Sequence, residues 1–542
     1  MLLNGFFRTF NDLISLINEK SKNIYQNSNF YNRKISKSLD FEFQYKPSPY
    51  LLSSLINYQS KKYTIDELDY NTIWENNLES KENKRLNNFF WFFSLDLRSS
   101  KNSTQKVITD WINKNQRYNK ENWEFDTTAK RVISWLSNHQ LSYDESDKEY
   151  RSIFNFMIQK QTNHLINEIK NSKNLENKII GCSAIILAGL CFGSEKNYLK
   201  IGLNFLRKIA KSSIDNQGFI KSRNIKQQIF YLKYFILIKE WFKESQVNIP
   251  DYIEENIYYF GQAYAYFWQN IKVDLLFNGN NISNNQDFDI YLKRLGYKFR
   301  NEKKIYGGYT VLQNKKICLA MDTGPTPDLL HSCDYQAGAL SFEIISNGRK
   351  LISNCGYFEK TNLKLNQISK SSATHSTLII DDNSSCKFFK KKKSWNLKAG
   401  LKIIQNNSVF EQNYWKINAA HDGYIKKYNS VHEREIEFYP EQMMFVGTDK
   451  IIKKKTNYSY KFEIRFHLEP NVKLMKTQDN KSILIELKDE GWRFTCKNYE
   501  INIDNGLYFG NKNSYTENQN FFISGISNCD EERIKWEIRK IQ

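Results

Sequence analysis

The chain has 542 residues, 40% of them apolar, which is enough for two or more domains with real cores. Lys and Arg number 79 against 59 Asp and Glu, a formal charge of +20; such a chain attracts polyanions, and charge alone does not choose among nucleic acid, anionic lipid and acidic sugar. The sequence contains no Gly-rich phosphate loop, HExxH or CxxC pair, which excludes ATPase, zinc-protease and zinc-finger readings.

The first residues, Met1 to Leu13, lack a basic stretch followed by a clean apolar one, so no signal peptide is recognised. Residues 1–84 form a segment of unassigned structure, in which Phe41 to Tyr45 reads as a short strand followed by Pro47 and Pro49 in a loop. Residues 85–300 carry a helical period. Ala129, Val132, Ile133 and Leu136 fall on one helix face, as do Ile225, Ile229, Leu232 and Ile236. Ile179 to Phe192 is the most hydrophobic stretch, carries Gly181 and Gly189 and is shorter than the ~20 residues of a spanning helix, and it reads as the buried core helix of a soluble chain. Tyr252 to Val273 is aromatic on several faces, as a helix buried among others is. Asp215-Asn216-Gln217-Gly218 and Asn278-Gly279-Asn280-Asn281 break the pattern. Repeated helix–loop–helix units of this length favour an α-helical toroid, of the incomplete α/α kind, or a solenoid over a compact bundle.

Residues 301–542 change to a period of two, seen in Ile317, Leu319 and Met321, in Leu340, Phe342 and Ile344, in Phe462 to Leu468 and in Ile483 to Leu487. Asn347-Gly348 between two apolar runs signals a type I′ hairpin. Many short strands predict an antiparallel β-sandwich. The fold class is therefore α+β and multidomain, helices first. The eight cysteines are scattered without a framework and read as free, mostly core thiols.

Three blocks in the second half occur in a telling order. They are Gln336-Ala-Gly-Ala-Leu-Ser-Phe-Glu343, Leu351-Ile-Ser-Asn-Cys-Gly356 and Ala373-Thr-His-Ser-Thr-Leu378. His421-Asp-Gly-Tyr424, Arg465-Phe-His-Leu468 and Gly491-Trp-Arg-Phe494 follow, and Thr128 to Trp135 and Gly218 to Asn224 precede them. Together they resemble a bacterial branch of the heparinase II/III-like polysaccharide lyases, over roughly residues 85–525. The resemblance implies β-elimination on a uronic-acid-containing polysaccharide, heparin-, heparan- or alginate-like. Donors or cations neutralise the uronate carboxylate, a base takes the C5 proton and an acid protonates the leaving O4. It implies an anionic polysaccharide as partner, no redox cofactor and no nucleic acid. It also implies a place in the cell envelope or periplasm, with the cytoplasm left open by the missing leader.

Some members of that family bind zinc in the sandwich, at positions that fall here on Gln336, Asn354 and His375. Amides are poor zinc ligands beside imidazole and carboxylate, so no metal site is expected. A family histidine falls on Asp334, with His331 three residues earlier, and a family tyrosine is replaced around Ser222 to Ile225. The residues singled out for catalysis are His375, His421, Tyr424, Arg223 and Asn224. His421, Asp422 and Tyr424 supply an imidazole, a carboxylate and a phenol within four residues, although Asp-Gly is also an ordinary turn. Arg223 is expected to grip a substrate carboxylate bidentately and Asn224 to donate beside it; the competing reading is helix capping by Ser222 or Asn224. His375 competes with a structural hydrogen-bonding role. His467 is expected on the face of its strand opposite the apolar one, and Arg131 as structural or solvated. Asp322 to Asp328 reads as a rigid loop and Lys390 to Lys393 as a solvated turn. Three functions stay open: a polysaccharide lyase, a non-catalytic carbohydrate-binding or envelope protein on the same fold, and a nucleic-acid binder driven by charge.

Overall fold

The computed structural model describes residues 17–38, 42–56, 64–65, 72–74, 78–193, 197–283, 285–359, 362–391, 394–454, 459–512 and 514–541. A helical N-terminal region is followed by C-terminal antiparallel sheets. Contacts divide the chain into two compact units. One comprises Met1–Ser212, Phe230–Ile257 and Ile290–Leu295; the other comprises Ser213–Ile229, Tyr258–Asp289 and Gly296–Gln542.

In the first unit the helices include α1 (Lys101–Lys114), α2 (Phe125–Ser137), α3 (Lys148–Glu168), α4 (Leu175–Phe192) and α5 (Tyr198–Ser213). Side chains cap several of them. Ser100 Oγ accepts from the Ser103 amide, Asp147 from Tyr150, and Asn174 from Glu176 and Asn177, each satisfying N–H groups that a helix start leaves open. The face predicted for α2 is buried, with Ala129, Val132, Ile133 and Leu136 all at 0% exposure, and α2 packs on α3 and α4. By length and composition α4 is apolar enough to cross a membrane, and 78% of it is buried inside the protein. Gly189 explains one close approach: a Cβ there would lie 2.3 Å from the Leu199 backbone nitrogen. Arg131 is fully buried and satisfied by neutral groups, with Nε on Gln161 and Nη1 on the Asn87 carbonyl, its guanidinium 3.9 Å above the Trp111 ring.

Three sequence expectations need adjusting. Glu42 to Tyr45 forms no strand, and Phe41 lies outside the described residues. Pro49 opens a helix, Pro49–Ile56, where its missing N–H costs nothing. The helix α7 (Asp251–Tyr264), which follows α6 (Ile225–Glu244), passes into a π-turn at Ala265–Gln269 instead of running on to Val273. Met1 to Leu13 and Lys392 to Lys393 lie outside the described residues.

The second unit is built on antiparallel sheets. Strands β1 (Ile305–Tyr306), β2 (Tyr309–Gln313), β3 (Ile317–Asp322), β4 (Phe342–Ser346) and β5 (Arg349–Ile352) form a sheet in that order. Asn347 and Gly348, at φ 46° and 78°, join β4 to β5 in the predicted primed turn. An eight-stranded sheet runs through Lys473–Lys476, Ser482–Leu487, Glu490–Thr495, Glu531–Lys540, Met444–Lys453, Ser430–Tyr439, Trp415–His421 and Ile403–Phe410. A four-stranded sheet runs through Ile501–Tyr508, Thr516–Ser527, Tyr460–His467 and Leu378–Ile380. Period-two burial, as in Met444–Lys453, turns one face of these strands into a common core. Aromatic rings fill it: Phe466 stacks on Phe521 at 5.0 Å and Phe342 on Trp536 at 5.5 Å. No disulfide joins any of the eight cysteines, all of which are described, and six of them are buried.

Candidate active site

The Asp215–Gly218 turn is fixed by its own aspartate, which accepts from the Gln217 and Phe219 amides. It delivers Ser222, Arg223 and Asn224 to the start of α6. Asn224 is the cap of that helix: its Oδ1 accepts from the Gln227 amide at 3.1 Å. That bond fixes the carboxamide and leaves Nδ2 as a donor with no hydrogen bond among the described residues.

Arg223 sits at φ 56°, a left-handed conformation unusual for a long side chain. Its guanidinium is almost wholly spent. Nε donates to the Gly307 carbonyl, Nη1 to Pro325, and Nη2 to Gly308 and to Asp322 Oδ1 at 2.5 Å. The group also lies 4.6 Å over the Tyr309 ring. Burial is the largest influence on the Arg223 pKa and lowers it, but the Asp322 carboxylate, 1% exposed, together with Tyr309 and Tyr335 more than offsets it and keeps Arg223 charged. Four of five N–H groups are committed, so the bidentate grip on a substrate expected for Arg223 has too few donors. The arginine instead locks the strand end of β3 to the turn before α6.

Residues that the sequence reading left without chemistry complete this cluster. Asn278, at φ 40°, donates to Tyr309 Oη and Asp322 Oδ2. Tyr309 in turn donates to the Arg223 carbonyl at 2.6 Å. Leu340, whose amide bonds the Asp322 carbonyl, also sits at positive φ, 56°. Three strained non-glycine residues around one aspartate are the kind of clustering that functional sites show. Beside them, a Cβ placed on Gly279 would lie 2.5 Å from Asn224 Nδ2 and 3.1 Å from Asp334 Cβ, so the amide and the aspartate meet over that glycine. Tyr357 Oη donates to Asp334 Oδ1 at 3.0 Å and accepts from Asn366 Nδ2. Burial, and then the Asp334 charge, push the Tyr357 phenol well above its ordinary pKa.

His375 is 1% exposed. Its Nδ1 lies 2.9 Å from the Ser371 carbonyl, an acceptor, so Nδ1 carries the proton and Nε2 is the basic nitrogen. Nε2 is buried with no hydrogen-bond partner among the described residues, and burial draws the imidazole pKa down to about 4. Gly338 packs against the ring: a Cβ there would come 2.5 Å from His375 Cδ2. Gly338→Ala is therefore expected to lower stability by about 1–3 kcal/mol through overpacking, measured as a shift in urea midpoint at unchanged m-value.

His421 and Tyr424 lie in a separate network. His421 Nδ1 accepts from the Gly423 amide, and its Nε2 is 3.3 Å from His432 Nδ1. His432 Nε2 bonds Asp449 at 2.7 Å. Tyr424 Oη donates to the Leu378 carbonyl. Both ring nitrogens of His421 are thus engaged, and the turn uses the imidazole as its brace. His467 is buried at the end of its strand, with Nδ1 3.1 Å from Cys355 Sγ.

The positions that would hold zinc do not fit it. Gln336 Oε1 accepts from Gly279 and its Nε2 donates to the carbonyls of Gly356 and Ser369. Asn354 Oδ1 accepts from Ser376 and its Nδ2 donates to Glu343. Both amides are consumed by hydrogen bonds that imidazole and carboxylate could not make with the same polarity, and only His375 Nε2 remains open. Among the described residues no group of three or more His, Cys, Asp or Glu is placed to hold a metal.

Residues 305–537 match the family model described as heparinase II/III-like, C-terminal. Solved structures agree over nearly the whole chain. A heparan sulfate lyase HepC mutant from Pedobacter heparinus superposes with a TM-score of 0.66 at 13% identity, covering 94% of this chain and 85% of that one. A structure of heparinase III gives 0.67 at 15% identity, over 94% and 88%. A further heparinase III, the BT4657 gene product, gives 0.67 at 13%, over 93% and 86%. A comparison with curated proteins found no match. The chain thus carries a heparinase II/III-like C-terminal domain and has the heparinase III fold.

Proposed function

We propose that the protein is a polysaccharide lyase that cleaves a uronic-acid-containing polysaccharide by β-elimination, with Asn224, Asp334 and Tyr357 at the reacting sugar. The observation that carries the reading is the Asn224 carboxamide, whose oxygen is spent on a helix cap while its Nδ2 borders Gly279, as does the Cβ of Asp334, the residue to which Tyr357 is hydrogen-bonded. A fixed donor is what an enolising carboxylate requires, because charge grows on it as the C5 proton leaves. Asp334 takes that proton, the electron pair forms the C4–C5 double bond, and the C4–O bond breaks. Tyr357, kept protonated by its burial, gives its proton to the leaving oxygen. The proton on Asp334 then returns to Tyr357 along the hydrogen bond they already share. Arg223 acts as a positioning residue through Asp322 and the Gly307–Gly308 carbonyls. His375 contributes an open, buried Nε2 behind Gly338, and His421 and Tyr424 shape the turn described above. The fold's solved neighbours are lyases by name, which favours this class over the nucleic-acid reading.

The test is the absorbance of the unsaturated uronate product while the purified protein is incubated with a panel of uronic-acid polysaccharides. Asn224→Ala is expected to lower kcat/KM by about 100-fold, the effect of removing one preorganised donor. Tyr357→Phe is expected to lower kcat by at least about 100-fold with KM nearly unchanged. Binding across the panel without any absorbance change would instead select the non-catalytic carbohydrate-binding reading, which the consumed amides at Gln336 and Asn354 favour.

A further inference from the structure

A cavity of about 400 Å³ opens on the second unit, between the hairpin Lys387–Lys391/Ser394–Ala399 and the turn that carries Gly423 and Tyr424. Four lysines line it, Lys387, Lys398, Lys426 and Lys427, all exposed, against a single acid, Asp382. Among the described residues none of the four forms an ion pair, and Lys427 Nζ lies 5.0 Å over the Tyr428 ring. Four ammonium groups around one concavity repel each other, and the arrangement is relieved by an anion that enters it. Trp395 also lines the cavity, half-buried, with its indole N–H donating to the Leu363 carbonyl at 3.2 Å. That bond fixes the ring plane and costs the indole its only donor, so what remains is a rigid apolar face. The volume falls in the ordinary range for small-ligand sites, about 300–1,000 Å³.

We infer that this cavity is an accessory site for an anionic sugar unit, in which Trp395 takes the pyranose face and the lysines take carboxylate or sulfate. The inference deepens the lyase reading and rests on it for the class of polymer. It also gives the His421–Tyr424 motif a purpose: His421 braces Gly423 and Tyr424 anchors to Leu378, and together they hold one wall of the cavity. A single fixed indole with a ring of ammonium groups suits a saccharide better than a nucleic-acid strand, which uses successive aromatic platforms along a groove.

The experiment is calorimetric binding of four probes to the full chain: polygalacturonate, dextran sulfate, plain dextran and a single-stranded DNA oligonucleotide. The variants are Lys398→Glu/Lys426→Glu, Trp395→Ala, and Lys315→Glu/Lys316→Glu as a control with the same charge change on an exposed turn. The pocket pair is expected to weaken polygalacturonate, dextran sulfate or both by about tenfold or more, and the control pair to weaken neither by as much. Trp395→Ala is expected to weaken the same probe without altering its salt dependence. Equal losses in the pocket and control pairs, equal binding of plain dextran, or a loss for DNA as large as for the sugars would each overturn the assignment. The lyase reading fails separately, when binding persists but no unsaturated product forms.

Discussion

Lowering the pH from about 7.5 to about 5 is expected to remove a large part of the folding free energy of the second unit. The chain has seven histidines, and five of them, His164, His375, His421, His432 and His467, are held below the ordinary imidazole pKa, in each case chiefly by burial. His164 and His375 titrate at about 4 in the folded chain and His467 at about 3. An unfolded histidine takes up its proton near pH 6.5, so below that pH the unfolded state binds more protons and stability falls. Their contribution is intact above about pH 6.5 and is lost progressively down to the folded pKa values. At about pH 5 each such histidine costs about 2 kcal/mol, so His375 and His467, both in the second unit, cost it about 4 kcal/mol, a large part of the 5–15 kcal/mol that holds an ordinary domain. His421 and His432 act in the same direction. Glu343 and Asp274, whose burial raises their pKa, act in the opposite sense and soften the loss toward the lower end of the window. Urea midpoints followed by tryptophan fluorescence from about pH 7.5 to 5 check this. A steep fall is expected, and a flat profile would contradict the buried, neutral state of these imidazoles. Four of the five lie in the second unit, so amide exchange there is expected to accelerate before that of the first.

The same histidines show where sequence reading succeeds and where it stops. Periodicity located the helix of Ala129 to Leu136 and the strands around Ile317, Phe462 and Ile483, because each of those patterns repeats within one element. The Asn347-Gly348 turn was legible because only a primed turn needs two residues at positive φ. The site was legible only at its anchors. Asn224 and His375 stand in recognisable motifs, but the contacts that fix the neighbouring Arg223 are distant in sequence: Asp322 lies 99 residues from Arg223, and Tyr309 lies 86 from it. Asn278-Gly279 reads as a helix breaker in sequence, whereas in the fold it is the loop that joins Tyr309, Asp322 and Gln336. Glu42 to Tyr45 has the alternation of a strand but joins no sheet among the described residues; the Gln44 amide bonds the Cys191 carbonyl in a helix instead. Arg223 shows the opposite error. Its motif suggested a substrate contact, and only the count of carbonyls around it reveals that its donors are already used.

Replacing Arg434 by Ala is expected to destabilise the second unit by about 3–5 kcal/mol, the usual cost of breaking one side of a buried ion pair. Arg434 and Asp449 face each other across neighbouring strands, both at 0% exposure, with Nε 2.8 Å from Oδ1. The arginine charge is the largest influence drawing the Asp449 pKa down against its burial. His432 and Trp536 donate to the two oxygens of the same carboxylate, at 2.7 and 2.9 Å. Without the guanidinium, Asp449 either ionises unpaired in the core or takes a proton and gives up the strength of both bonds. The cost extends toward the candidate site. Arg434 Nη1 donates to the carbonyls of Leu340 and Ser376, which hold the strained residue before β4 and the residue next to His375. Those acceptors belong to residues at 0% exposure, so leaving them unpaired adds a desolvation penalty where the site is most tightly set. Amide exchange at Ser376 and Thr377 should therefore rise in Arg434→Ala beyond what global destabilisation explains. Arg434→Met with Asp449→Asn removes the charge imbalance and is expected to recover part of the global loss, yet not the order of the His375 turn, since the two carbonyls stay unpaired. If the single and double variants unfold alike, the ion pair is not what holds this core, and the carbonyl bonds alone account for the arginine.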